Sequence, residues 1–171
     1  MAQDLSRDYT REAPVIESLE DALDLAVGKG RARPGQVFAA ATVDDVCGVL
    51  RAAAERGGHV TTGQPGVDEI GLDIAALTDV RELDVTSGLV TVEAACTAAQ
   101  LEEYVGEAGF ELGFGHFADP DRPIGQAIMA GEGTPLVVSV GAVLPDGTLF
   151  HTPVAPRRAS GPDPDALLVG T

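Results

Sequence analysis

The side chains best suited to acid–base or metal chemistry stand together in the second half of the chain. His116 lies in the run GFGHF and could act as a general base, and Asp119 and Asp121 follow it closely. A proline separates the two acids and no fourth ligand accompanies them, so this trio does not predict a metal site. A packed or solvent-tipped histidine is the simpler interpretation of His116. The sequence therefore predicts no catalytic residue and no metal ligand.

Other reactive residues also lack the spacing that chemistry requires. Cys47 and Cys96 stand in apolar surroundings without metal-ligand spacing, which predicts small buried side chains in a reducing compartment. The basic cluster Lys29, Arg31 and Arg33 lacks the GxxxxGK[ST] pattern of a phosphate loop and indicates a solvated turn. No GxSxG or HExxH motif occurs. Function must therefore be sought in the arrangement of the elements.

Composition excludes several classes of partner. The 171 residues carry 27 acids against 11 bases, a net charge of −16 that repels nucleic acid and anionic membranes. This acidity fits either a solubility or habitat requirement or a basic protein partner. No apolar run approaches the ~20 residues that span a bilayer, and the first residues lack an apolar signal core. We expect a cytoplasmic, soluble protein without membrane or nucleic-acid contacts.

One strand followed by one helix organises the middle of the chain. Residues 89–96 alternate in the manner of a β-strand, and the period becomes helical at Thr97. Thr97 and Gln100 have the spacing of a capping box at a helix N-terminus. Leu101 and Val105 then fall on one helical face, and Gly109 is a natural stop. The amphipathic helix must pack on other elements.

The remaining elements follow from periodicity and turn residues. We expect helices over 16–27, 43–56, 123–130 and 165–168, and strands over 37–40, 59–62, 69–77, 136–144 and 148–154. The strands 37–40 and 59–62 should form a parallel pair joined by a right-handed crossover helix. The PDG triplet between the last two strands predicts a hairpin. Residues 78–87 are interpreted as a connection, and residues 1–33 as an arm with one short helix.

In this order the elements resemble the FAD-binding domain of the FAD-linked oxidases, the vanillyl-alcohol-oxidase or PCMH type. Four segments carry the resemblance: PGQVFAAATVDDVCGVLRAAAERGGHVTTG, EIGLDIAALTDV, GLVTVEAACTAAQLEEYVGEAGFELG, and LVVSVGAVLPDGTLF with the closing RRASGPDPDALLVGT. The small flavin subunit of glycolate oxidase is nearest in character. The resemblance implies an α+β fold over residues 34–171, with a small βαβ lobe, a larger mixed or antiparallel sheet lobe, and FAD between them. It also implies a family that oxidises hydroxy acids, alcohols or amines.

The chain departs from this family at both flavin loops. The family holds the FAD diphosphate with backbone N–H groups of an RGGG[TS] loop, and the matching run here is TGQPG, residues 62–66. The basic residue is missing, Pro65 has no N–H, and Gln64 carries a side chain where the family has glycine. In the second loop Gln126 replaces a glycine, and a Tyr-Gly segment is absent. The resemblance thus implies a remnant cofactor site made of Thr62, Gly63, Gln64, Gly66, Gly125, Gln126 and Ala127.

These departures lead to three hypotheses. The first is an accessory or degenerate member of the fold, without tightly bound FAD, which is not catalytic alone and serves as a structural or regulatory subunit; it predicts no cofactor. The second is a working FAD-binding subunit of a multi-chain oxidoreductase resembling a hydroxy-acid dehydrogenase, because residues 34–171 include no substrate domain. The third is a stand-alone module that binds a small ligand or a protein. The first two hypotheses call for a protein partner or a second copy of the chain.

Overall fold

The computed structural model describes residues 16–112, 117–133 and 136–154; His116 and the predicted helix over 165–168 lie outside these ranges. In chain order the elements are α1 (Leu19–Val27), β1 (Val37–Ala39), α2 (Val43–Arg56), β2 (His59–Thr61), β3 (Glu69–Asp73), β4 (Val80–Asp84), β5 (Leu89–Val92), α3 (Ala98–Glu107), α4 (Ile124–Met129), β6 (Gly141–Val143) and β7 (Leu149–His151). Within these ranges no helix is long and apolar enough to cross a membrane. The mixture of helices, parallel strands and antiparallel strands confirms the predicted α+β class.

The first lobe packs α1 and α2 on a three-stranded parallel sheet. α2 covers the predicted range 43–56 and begins after Thr42, whose hydroxyl accepts the Asp45 N–H at 3.1 Å while the Asp45 carboxylate accepts the Thr42 N–H at 3.2 Å. Val49 of α2 and Ile70 of β3 are fully buried, and they belong to one apolar core with Leu23 of α1. Burial of these faces fixes both helices on the sheet.

The strand order of this sheet corrects one expectation. β1 and β2 are parallel, but they are not neighbours, because β3 lies between them and pairs with both. The close approach depends on Gly71, where an added Cβ would lie 3.0 Å from Val37 Cγ2 and 3.1 Å from Pro65 Cδ. Sequence proximity favoured β1 beside β2, whereas the apolar side chains of β3 require the central, covered position.

The second lobe packs α3 and α4 against the antiparallel pair β4–β5. Thr97 and Gln100 form the predicted capping box of α3. β4 lies within residues 78–87, for which the sequence predicts only a connection. Its pairing with β5 shifts register between Val80 and Glu82, so its apolar residues do not alternate and the strand pattern is hidden. β5 ends at Val92, four residues earlier than predicted.

The hairpin β6–β7 closes the described part of the chain and packs on the first lobe. Its PDG turn was predicted, although both strands are shorter than expected. Gly147 in this turn has φ 78°, and an added Cβ there would clash with the Cys47 carbonyl oxygen and lie 2.8 Å from the Arg51 backbone nitrogen. Val143 of β6 packs against the core of the first lobe. The hairpin is thus held against α2 by close backbone contact.

Candidate functional site

The first predicted cofactor loop, residues 62–66, lies on the protein surface after β2. Thr62, Gly63, Gln64 and Gly66 are all exposed, whereas Pro65 is half-buried. A Cβ added to Gly63 would meet only the Thr61 hydroxyl oxygen, at 3.8 Å. The loop therefore presents open backbone to solvent and is anchored to the sheet through its proline.

Some backbone N–H groups of this loop already donate hydrogen bonds to described residues of the protein, and one does not. The Gly63 N–H donates to the Thr61 hydroxyl at 3.2 Å, and the Gly66 N–H donates to Oε2 of Glu69 at 2.8 Å. The Gln64 N–H donates to no atom of the described residues. Since a backbone N–H is a donor whatever the side chain, the loop can donate hydrogen bonds to an anionic oxygen.

The second predicted segment, Gly125 to Ala127, is tied into the second lobe. The Gly125 N–H donates to the Ala94 carbonyl at 2.8 Å, and a Cβ on Gly125 would lie 2.8 Å from the Ala94 Cβ. Ala127 is fully buried, and its N–H donates to the Pro123 carbonyl. Gln126 is exposed. Gly125 thus serves close packing, and of these three residues only Gln126 is open to a ligand.

Residues 93–97, against which Gly125 packs, link the two lobes. Glu93 and Ala95 donate their N–H groups to the carbonyls of Asp79 and Leu77, each at 2.9 Å. The Cys96 carbonyl accepts the Ile124 N–H at 2.8 Å. This short segment therefore joins the end of the first lobe to α4.

An ion pair between the buried Glu93 and the half-exposed Arg81 fixes the start of that segment. The Glu93 side chain is 8% exposed; its carboxylate accepts from Arg81 Nε at 3.0 Å, contacts Arg81 Nη2, and accepts the Asp79 N–H at 3.0 Å. Burial alone would raise the pKa of Glu93, but the hydrogen bonds from Arg81 and Asp79 outweigh burial and lower it. Sequence reasoning missed this pair, because Glu93 in an alternating strand resembles any solvent-facing acid.

The two acids considered as metal ligands, Asp119 and Asp121, are joined by a hydrogen bond within a turn. The Asp119 carboxylate accepts the Asp121 N–H at 3.0 Å, which closes the loop before α4. Arg122 Nη1 contacts Glu132 Oε1 at 2.5 Å, and the other oxygen of Glu132 accepts the Ala118 N–H. The described residues contain no group of three or more His, Cys, Asp or Glu side chains placed to hold a metal ion. Burial raises the pKa of the Cys96 thiol, so this cysteine is an inert core residue.

The parallel sheet and the exposed loop of residues 62–66 are compatible with a dinucleotide-binding protein. A surface loop of N–H donors beside a parallel sheet suits the diphosphate of a dinucleotide. A family model described as "FAD binding domain" matches residues 34–153, most of the chain. The chain belongs to this family, as its motifs predicted.

Individual relatives support the same conclusion. The chain is 29% identical over 129 residues to an uncharacterized FAD-linked oxidoreductase, YgcU, of Escherichia coli K12; the match covers 70% of this chain and 26% of that protein. Among solved structures, p-cresol methylhydroxylase with bound substrate aligns with a TM-score of 0.60 at 16% identity, over 88% of this chain and 40% of the other. The 4-ethylphenol oxidase of Gulosibacter chungangensis gives 0.61 at 15% identity, over 88% and 39%. These structures share the fold, and this chain spans well under half of their length.

Family membership corrects the expectation that no cofactor binds. The matched family and the FAD-linked relative point to FAD as the cofactor. The missing glycines and the missing basic residue favoured the loss of FAD. The donors in such a loop are backbone N–H groups, however, and Gln64 and Gly66 keep theirs; only Pro65 removes one. The assignment of the seven loop residues to FAD itself stays a prediction.

Proposed function

We propose that this chain is the FAD-binding part of an FAD-linked oxidoreductase and that the loop of residues 62–66 holds the FAD diphosphate. The observation that carries this proposal is the exposed loop of N–H donors, with Gln64 unengaged among the described residues, inside the stretch that matches the FAD-binding family. The loop packs on the sheet of the first lobe, because Pro65 lies against the central strand at Gly71.

The roles of the residues follow from their positions. Gly63 and Gln64 would donate N–H groups to phosphate oxygens, and the open space beside Gly63 lets a ligand approach the backbone. Gly125 would keep α4 against the segment of residues 93–97, which leaves the exposed Gln126 at the second segment. When bound, FAD supplies two-electron redox chemistry, and the protein supplies binding and orientation.

The substrate side of such an enzyme requires further polypeptide. The chain spans 26% of YgcU, 40% of p-cresol methylhydroxylase and 39% of 4-ethylphenol oxidase. We propose that a hydroxylated substrate is bound by polypeptide outside the shared stretch, whether continuous with this chain or in a partner chain. A structural or regulatory role beside such a partner stays a second prediction. Sedimentation of the purified chain, alone and with proteins that copurify from its source, tests for this assembly.

The cofactor proposal is tested by titration with FAD. A ligand that binds only the folded state at one hundred times its Kd adds about 2.7 kcal/mol, so we expect Tm to rise by about 5–10 °C. Gly63→Asp places a carboxylate beside the loop and should abolish the rise. Gly106→Asp is the matched control, because it places the same carboxylate on α3 where a Cβ meets no atom within 4 Å. A wild-type protein that neither carries flavin absorbance nor shifts with FAD contradicts the proposal.

A further inference from the structure

The Glu69 carboxylate accepts a hydrogen bond from one of the backbone N–H groups of the proposed diphosphate loop, that of Gly66. Its Oε2 accepts the Gly66 N–H at 2.8 Å, and its own N–H donates to the Gly66 carbonyl at 3.2 Å. A Cβ added to Gly66 would lie 3.4 Å from Oε2 and 3.5 Å from Cδ of Glu69. The face of Gly66 on which a side chain would stand is therefore already covered by a carboxylate.

This contact places a negative charge where a diphosphate would need a donor. A carboxylate and a phosphate oxygen compete for the same N–H, since one N–H makes one good hydrogen bond. The two anions also repel each other at a separation of a few ångströms. No arginine or lysine lies within residues 62–69 to offset that repulsion.

We propose that Glu69 is an internal competitor for the diphosphate of FAD: its carboxylate must leave the Gly66 N–H before the ligand can use it. This inference rests on the proposed function. The bound loop and the free loop then differ in one hydrogen bond, and Glu69 sets the affinity without contacting the redox part of the ligand. A residue that only closes the turn would have no such effect, because its loss would not favour the ligand.

Three variants separate charge, hydrogen bonding and general acidity. Glu69→Gln keeps an oxygen for the Gly66 N–H but removes the charge, and Glu69→Ala removes both. Asp68→Asn is the matched control, because Asp68 is the adjacent exposed acid and its carboxylate accepts no hydrogen bond from any described residue. Each protein, at equal concentration, is titrated with FAD, and the quenching of flavin fluorescence gives Kd. A melting curve without FAD reports the fold of each variant.

We expect Glu69→Gln to tighten FAD binding by about fivefold to tenfold and Asp68→Asn to change it by less than about twofold. Glu69→Ala should tighten binding at least as much as Glu69→Gln if it melts like the wild type. Equal Kd values for wild type and Glu69→Gln, or an equal gain from Asp68→Asn, would overturn the inference while leaving the proposed function intact. No binding by the wild type or any variant would overturn both.

Discussion

Two short connecting segments of this protein, residues 62–68 and residues 93–97, show opposite uses of the backbone. The first is mostly exposed, and its Gln64 N–H has no partner among the described residues. The second is partly buried: Glu93 and Cys96 are buried whereas Ala94 is exposed. Glu93 is ion-paired, and the carbonyls of Ala94 and Cys96 both accept N–H groups of α4. One segment keeps donors open for a ligand, whereas the other uses its hydrogen bonds to join the lobes.

This contrast predicts that the same substitution has different consequences in the two places. A partly buried segment whose hydrogen bonds join two lobes should respond to change through stability, because its packing and pairing cannot relax without loss. An exposed loop should respond through ligand affinity, because little of the fold depends on it. Three substitutions and one change of pH, from the largest effect to the smallest, test the comparison.

Gly125→Ala should give the largest loss of stability. The new Cβ would lie 2.8 Å from the Ala94 Cβ and 3.0 Å from the Ala94 carbonyl oxygen, and the Ala94 backbone, held by its hydrogen bond from the Gly125 N–H, limits relaxation. We expect the free energy of unfolding to fall by about 2–3 kcal/mol in urea titration. Gly106→Ala is the control, since a Cβ in that helical position meets nothing, and it should be neutral or stabilising by up to about 1 kcal/mol. Equal effects of the two changes would contradict the packing role of Gly125.

Arg81→Met should destabilise the junction by a smaller amount. It leaves the buried Glu93 carboxylate with the Asp79 N–H as its remaining partner. A buried acceptor that loses a partner costs about 1–3 kcal/mol, and we expect the lower end because Arg81 itself is half exposed. Lys29→Met removes the same charge from an exposed linker and should change the free energy of unfolding by less than about 0.5 kcal/mol. A loss no larger than that of the control would show that the pair contributes nothing.

The loss caused by Arg81→Met should shrink in acid. The pKa of Glu93 is lowered in the folded protein, so the stability from this pair is fully present above the ordinary glutamate pKa of about 4.3 and disappears as pH falls through the lower folded value. Unfolding of wild type and variant, measured from pH 7 down to about pH 3, should therefore converge. A difference that stays constant over this range would mean that Glu93 ionisation is not involved.

Gly63→Ala should have the smallest effect on stability, within about 0.5 kcal/mol, because the new Cβ has open space and Gly63 has no positive φ. The same methyl group stands where a ligand would approach the loop backbone, so we expect FAD affinity to fall by about threefold or more. Urea unfolding and FAD titration on one preparation measure both effects. A large loss of stability at Gly63 would erase the distinction between the two segments.

Much of the fold could be predicted because its signals are local. Thr97 forms the capping box that its spacing to Gln100 predicts, and Gly57 ends α2 in a left-handed conformation, as expected for a helix over 43–56. The glycine and proline of the last hairpin specify its turn. The family was also predicted, because its motifs record the order of these elements.

The candidate site was harder to predict because it depends on donors and contacts that no side-chain motif records. Gln64 and Pro65 look like losses when compared with a glycine-rich pattern, yet Gln64 is exposed and its N–H has no partner among the described residues. The hydrogen bond from Gly66 to Glu69 and the ion pair of Glu93 depend on side-chain positions, which follow from strand pairing rather than from neighbours in sequence.

The sequence by itself determined where helices begin and end, which faces are apolar and which family the chain belongs to, because these properties arise from interactions a few residues apart. Only the tertiary structure decided that β3 lies between β1 and β2, that Gly125 packs against Ala94, and that a carboxylate covers Gly66. The physical reason is distance along the chain: strand order and close backbone contacts depend on which segments pack together, and no local pattern encodes that choice.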